Sequence, residues 1–169
     1  MRQTAFSFFG DTKRKFGGEL LVGKRKSARP LSTKEPIELV LKSIGNNVFS
    51  PGDRRIENLF RKQASKYKIK LYRVSLVWNH VHLLIKISDR DDYKAFVRTV
   101  TAELVRLVSK IRKVDLTGLF TLRPFTKIIS WGREFRNMHE YHDLNEMEAF
   151  GLARRKEKVK KKSKQRKRS

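Results

Sequence analysis

Cysteine is absent from the 169 residues, so neither a disulfide framework nor a thiolate zinc site is available, and a reducing, cytoplasmic setting is the plain expectation. No apolar run approaches the roughly 20 residues of a membrane span, and the opening MRQTAFSFFG is broken by glycine too early for a signal peptide. A soluble chain with no membrane partner is therefore expected. Acidic residues are also scarce: 17 Asp and Glu stand against 41 Lys and Arg, a formal net charge of +24 and a pI near 10.7. Self-repulsion on this scale works against compaction, and a polyanion partner is the commonest reason to carry it. Nucleic acid is the first partner to consider.

At this length one domain is expected, with room for tails. The positive charge gathers towards both ends. The last sixteen residues, RRKEKVKKKSKQRKRS, hold eleven basic residues and one Glu, a net +10, without any apolar period. They read as a disordered arm that neutralises phosphates. Near the other end, TKRKFGGELLVGKRKSARPLSTK mixes glycine with Lys and Arg and reads as an extended arm or irregular loop. The expected division is a basic arm over 1–34, a folded domain over 35–151 and a basic tail over 152–169.

Between the arms the periodicity alternates. PIELVLKS places Ile37, Leu39 and Leu41 on one strand face, and PGDRRIENLFRKQASKYKI spaces Ile56, Leu59, Phe60, Ala64 and Tyr67 along a helical stripe. KLYRVSLVW and WNHVHLLIKIS are two strands joined by a tight connection near Asn79. DDYKAFVRTVTAELVRLVSKIRK repeats apolar residues at helical spacing, with Asp91 and Asp92 in its first turn where the helix dipole favours carboxylates. FTKIISW is a further strand. The order strand, helix, strand, strand, helix, strand predicts an α+β fold of ferredoxin-like type: a βαββαβ antiparallel sheet with both helices on one face. NMHEYHDLNEMEAFG is a third helix available for the other face, with Asn137 and Glu140 as a capping-box-like start and Gly151 as its stop.

Two of the four histidines lie two apart in WNHVHLLIKI. On a strand His80 and His82 share one face, while Val81, Leu83, Ile85 and Ile87 share the other. The two core helices must cover the apolar face, so the imidazoles look out on the open side, where the third helix, an arm or a neighbouring strand can meet them. On that helix Tyr141 and Asn145 are four apart and share a face; His139 and His142 read first as surface residues or phosphate contacts rather than ligands, with His142 beside Tyr141 able to stand in for Asn145. Two imidazoles and an amide oxygen, with positions left for water or phosphate oxygens, suit a divalent ion such as Mg or Mn. A tyrosine beside such an ion can attack a phosphodiester and hold its energy in a phosphotyrosine bond. Tyr93 is the rival nucleophile, but its helix belongs to the apolar face. Trp78 and Trp131 read as core or loop-packing residues on which a base could also stack.

NHVHLLI resembles the HUH motif (histidine, hydrophobic, histidine) of single-tyrosine transposases, and YHDLNEMEAFG resembles their tyrosine helix, with a polar metal ligand four residues after Tyr. RPLSTKEPIELVLKS looks like their first strand, and WGREF is similar to a segment before the tyrosine helix in the REP-associated branch. The resemblance spans roughly residues 25 to 151. It implies a metal-dependent enzyme that binds a hairpin in single-stranded DNA, nicks near its foot and leaves Tyr141 linked to the 5′-phosphate. His80, His82 and Asn145 would hold the ion. Glu38, where many relatives have histidine, would be a supporting partner on the open face, as would His142. Phosphate contacts are expected from Lys24, Arg25, Lys26 and Arg29 of one arm and Arg154, Arg155 and Lys156 of the other. A homodimer that exchanges the tyrosine helix is one arrangement the resemblance allows, and a monomer is another. The competing readings are a catalytically silent hairpin DNA-binding module, a ribosomal-type RNA-binding protein and a replication-initiator nuclease.

Overall fold

In the computed structural model, residues 14–24 and 27–153 are described. The strands are β1 (Lys15–Phe16), β2 (Ile37–Lys42), β3 (Lys70–Val77), β4 (His80–Lys86) and β5 (Phe125–Ile128); the helices are α1 (Arg54–Lys66), α2 (Arg90–Arg112) and α3 (Arg133–Ala149). The strands form one antiparallel sheet in the order β1-β5-β2-β4-β3. From β2 to β5 this is the expected βαββαβ arrangement, and α3 follows it. Among the described residues, no helix is long and apolar enough to cross a membrane.

Local chemistry sets the helix ends. The Asp53 side chain accepts from the Arg55 N–H and begins α1, and Asp89 accepts from the N–H groups of Asp91 and Asp92 and begins α2. Buried Ile56, Phe60 and Ala64 of α1 and Phe96, Val100, Leu104 and Val108 of α2 meet Ile37, Leu39, Leu41, Leu83 and Ile85 in the core. These strand residues alternate with Glu38, His82 and Leu84, so the whole apolar face is sealed by the two helices and every polar strand position of interest falls on the opposite face. Tyr93 lies in the core, as its helix face dictates.

Three details differ from the sequence expectation. β1 arises within the stretch read as irregular: Lys15 and Phe16 pair with Lys127 and Thr126, and Phe16 is buried. Gly17 permits this, because its φ of 90° is unfavourable for other residues and a Cβ there would lie 2.0 Å from the Pro124 carbonyl oxygen. β5 stops at Ile128, short of Trp131. The third helix begins one turn before Asn137, at Arg133, with Gly132 as N-cap, so Asn137 and Glu140 are interior positions and form no capping box. Glu134 supplies the closure instead, accepting the Ser130 N–H at 2.7 Å.

Candidate active site

Register across the sheet assembles the first half of the site. On the open face Val40 stands opposite His82 and Lys42 opposite His80, with Glu38 one step along opposite Leu84. Glu38 is 6% exposed and His82 4%. The Glu38 carboxylate receives a hydrogen bond from His82 Nδ1 at 3.1 Å. A carboxylate only accepts, so Nδ1 carries a proton, and in the neutral ring that leaves the lone pair on Nε2. That Nε2 is buried with no hydrogen-bond partner. Burial alone would raise the Glu38 carboxyl, but the His82 hydrogen bond and the charges of His82, His142 and Lys127 outweigh it and hold it below the ordinary value. His80 is half-buried, its Nδ1 is 2.6 Å from Asn79 Oδ1, and desolvation with the neighbouring His82 and Lys42 pushes it down to about 4.

The second half arrives on α3. Arg73 of β3 fixes that helix through Asp143 and, at 2.7 Å, Glu146. The ring of Tyr141 comes to 5.7 Å from His82 between centroids, and His142 to 5.3 Å; His80 lies 4.6 Å from His82 on the strand side. His142 is fully buried, neither ring nitrogen has a hydrogen-bond partner, and burial with His82 nearby pushes it down to about 4. Asn145 is buried one turn further on. At pH 7 both depressed imidazoles are neutral, so their lone pairs are open to a Lewis acid.

One donor atom from each of Glu38, His82 and His142 lies within 4.8 Å of the others. Two imidazoles with buried nitrogens that nothing else engages, one of them held by a carboxylate, fit a divalent transition ion. The sequence expectation of His80, His82 and Asn145 shares His82 with this group. Glu38 and His142, given supporting roles from the sequence, stand at its centre. Strand alternation and pairing could have promoted Glu38; for His142 the decisive fact is the rotation of α3, which Arg73 sets from a distance in sequence.

Beside the imidazoles opens a cleft of about 970 Å³ lined by Tyr141, His82 and Glu38 and by the cations Arg14, Lys42, Arg123, Lys127 and Arg133. Several of these cations are already paired, Lys42 with Glu19 at 2.8 Å and Lys127 with Glu134 at 2.7 Å. Of the expected arm contacts, Lys24 is exposed. Arg29 is turned inward, its guanidinium donating to Thr126 Oγ1 at 2.7 Å and lying 4.7 Å over the Phe16 ring, so it fastens β1 to β5. Arg25, Lys26, Arg154, Arg155 and Lys156 lie outside the described residues.

Residues 40–118 match the family model for IS200-like transposases. Over that span the chain is similar to the IS200-like transposases. The match includes His80 and His82 and ends before α3. Among solved structures the chain is similar to a REP-associated tyrosine transposase bound to a REP hairpin, at a TM-score of 0.56 and 10% identity over 76% of each chain; at that identity the likeness is one of fold. A candidate transposase from Deinococcus radiodurans gives a TM-score of 0.44 at 15% identity, over 72% of this chain and 98% of the other. No curated protein matches the chain.

Proposed function

We propose that this chain is a transposase that binds a hairpin in single-stranded DNA and cleaves and rejoins strands through a 5′-phosphotyrosine on Tyr141. The observation that carries the reading is the meeting of Tyr141 with His82 at 5.7 Å, from two elements far apart in sequence, at the edge of a basic-lined cleft. His82 and His80 of β4, with His142 and Asn145 of α3, are the donors for the ion, and Glu38 holds His82 in the tautomer that frees Nε2. When bound, the ion polarises the phosphoryl oxygens and offsets the charge that grows on them during attack. The Tyr141 oxygen attacks phosphorus, its proton leaves to solvent or a neighbouring base, the bond to the 3′-oxygen breaks, and that oxygen takes a proton to leave as a 3′-hydroxyl. The reverse step, with a different 3′-hydroxyl, joins strands without ATP. The imidazole-rich donor set is softer than Mg prefers, so Mn is expected to support cleavage better than Mg.

The test is a denaturing gel with a labelled hairpin oligonucleotide from repeats flanking the gene, run with Mn, Mg or EDTA. A shifted covalent band that needs a divalent ion and is lost in Tyr141→Phe supports the reading. Hairpin binding without any adduct would leave a silent DNA-binding module as the better account.

A further inference from the structure

At the far end of β4, on the same sheet face as the imidazoles, aromatic rings gather around two lysines. His82, Leu84 and Lys86 alternate on that face, which puts Lys86 about 13 Å along the strand from His82. Lys70 of β3 is directly opposite Lys86. Like charges so placed repel, and neither lysine has an ion-pair partner among the described residues. The pairing skips Tyr72, since Leu71 faces Ile85 and Arg73 faces Leu84. This bulge turns Tyr72 to the same side as its neighbour Arg73.

Tyr72 meets Trp131 edge-on at 6.0 Å, and Phe135 packs 5.0 Å from Trp131 and 5.2 Å from Tyr72. Trp131 is 48% exposed, yet its indole is held, Nε1 donating to the Lys34 carbonyl at 2.9 Å. The ammonium of Lys86 lies 5.9 Å over the Trp131 ring and that of Lys70 lies 5.2 Å over Tyr72. A rigid, open indole with uncompensated cations above and beside it suits a ligand that is flat and aromatic in one part and anionic in the next. An aliphatic partner would leave the lysines buried and unpaired.

We infer that Trp131 and Tyr72 form a stacking subsite for an unpaired base flanking the DNA hairpin, with Lys70 and Lys86 on its phosphates. The base displaces the ammonium over the indole, and the lysine swings to the adjoining phosphate. The subsite rests on the single-stranded DNA reading proposed above and extends it to a second contact away from Tyr141.

The test uses the full chain carrying Trp78→Phe, which leaves Trp131 as the sole indole. It is titrated with a hairpin bearing an unpaired 5′ or 3′ extension and with the same hairpin trimmed flush, following indole emission and the anisotropy of labelled DNA. One extended hairpin is expected to quench the indole and to bind more tightly than the flush one, and Trp131→Ala should remove about tenfold to hundredfold of that affinity. Trp131→Phe should retain part of it, and Lys70→Gln with Lys86→Gln should lower the salt slope by about 2. Melting curves separate these effects from misfolding, and the phenylalanine and lysine variants decide the matter if the alanine variant fails to fold. Equal binding of extended and flush hairpins by wild type and folded Trp131 variants overturns the subsite while leaving the hairpin reading intact. Competition by polyglutamate as strong as that by an unpaired oligonucleotide of equal charge also overturns it, since the patch would then be a general anion site. If wild type binds no hairpin at all, both fall together.

Discussion

Removing the Glu38 carboxylate tests how the imidazole site is organised. Its hydrogen bond from His82 at 3.1 Å lies between two buried groups, and a bond to a charged partner of this kind contributes about 1.5–3 kcal/mol. Loss of an outer partner to a metal-binding histidine lowers metal affinity about 10- to 100-fold, or about 1.4–2.7 kcal/mol, which is the same range reached by a separate route. Titration calorimetry with Mn on the full chain, near neutral pH, should therefore show Glu38→Ala binding about 10- to 100-fold more weakly than wild type. Glu38→Gln, whose amide oxygen still accepts the Nδ1 proton, should lose less than about tenfold. If glutamine is as damaging as alanine, Glu38 is itself a ligand and the orienting role is wrong. Unchanged affinity in both variants would refute the involvement of this pair in metal binding altogether.

Tyr93 offers a control on the choice of nucleophile: its hydroxyl is buried without a hydrogen-bond partner, and burial drives it up to about 12. Tyr93→Phe should leave adduct formation unchanged on the same gel and keep or raise stability by about 1 kcal/mol in urea unfolding. Gly17→Ala combines an unfavourable φ with a contact to the Pro124 oxygen, and should destabilise by at least about 1–3 kcal/mol, read as a lower urea midpoint. Arg73→Met should cut the adduct yield more than it lowers the melting temperature, because the tether to Asp143 and Glu146 places α3 more than it fills the core; equal losses in both would argue for a general packing role.

The strands, the two core helices and the side on which the imidazoles stand were legible because each depends on local periodicity and on one rule, that the apolar face must be covered. What was not legible depends on partners distant in sequence. The pairing of Lys15 and Phe16 with β5 leaves no alternation over two residues, and Gly17 looks like any loop glycine until Pro124 is beside it. The spacing of Tyr141, His142 and Asn145 says which of them share a face, but the rotation that turns His142 towards His82 comes from Arg73 on β3. The skipped pairing at Tyr72 is a similar case, because a bulge is a relation between two strands and neither strand alone encodes it.

The order of the elements also has a consequence for synthesis. All four strands of the imidazole-bearing framework, β2 to β5, precede α3 in the chain. A ribosome therefore releases Glu38, His80 and His82 before Tyr141 and His142, and a chain cut short ahead of α3 lacks both the nucleophile and half of the imidazole site. On the reading proposed here the molecule arms itself last, when the Arg73 fork closes on Asp143 and Glu146. A frameshift or stop after residue 128 would then yield a product without Tyr141.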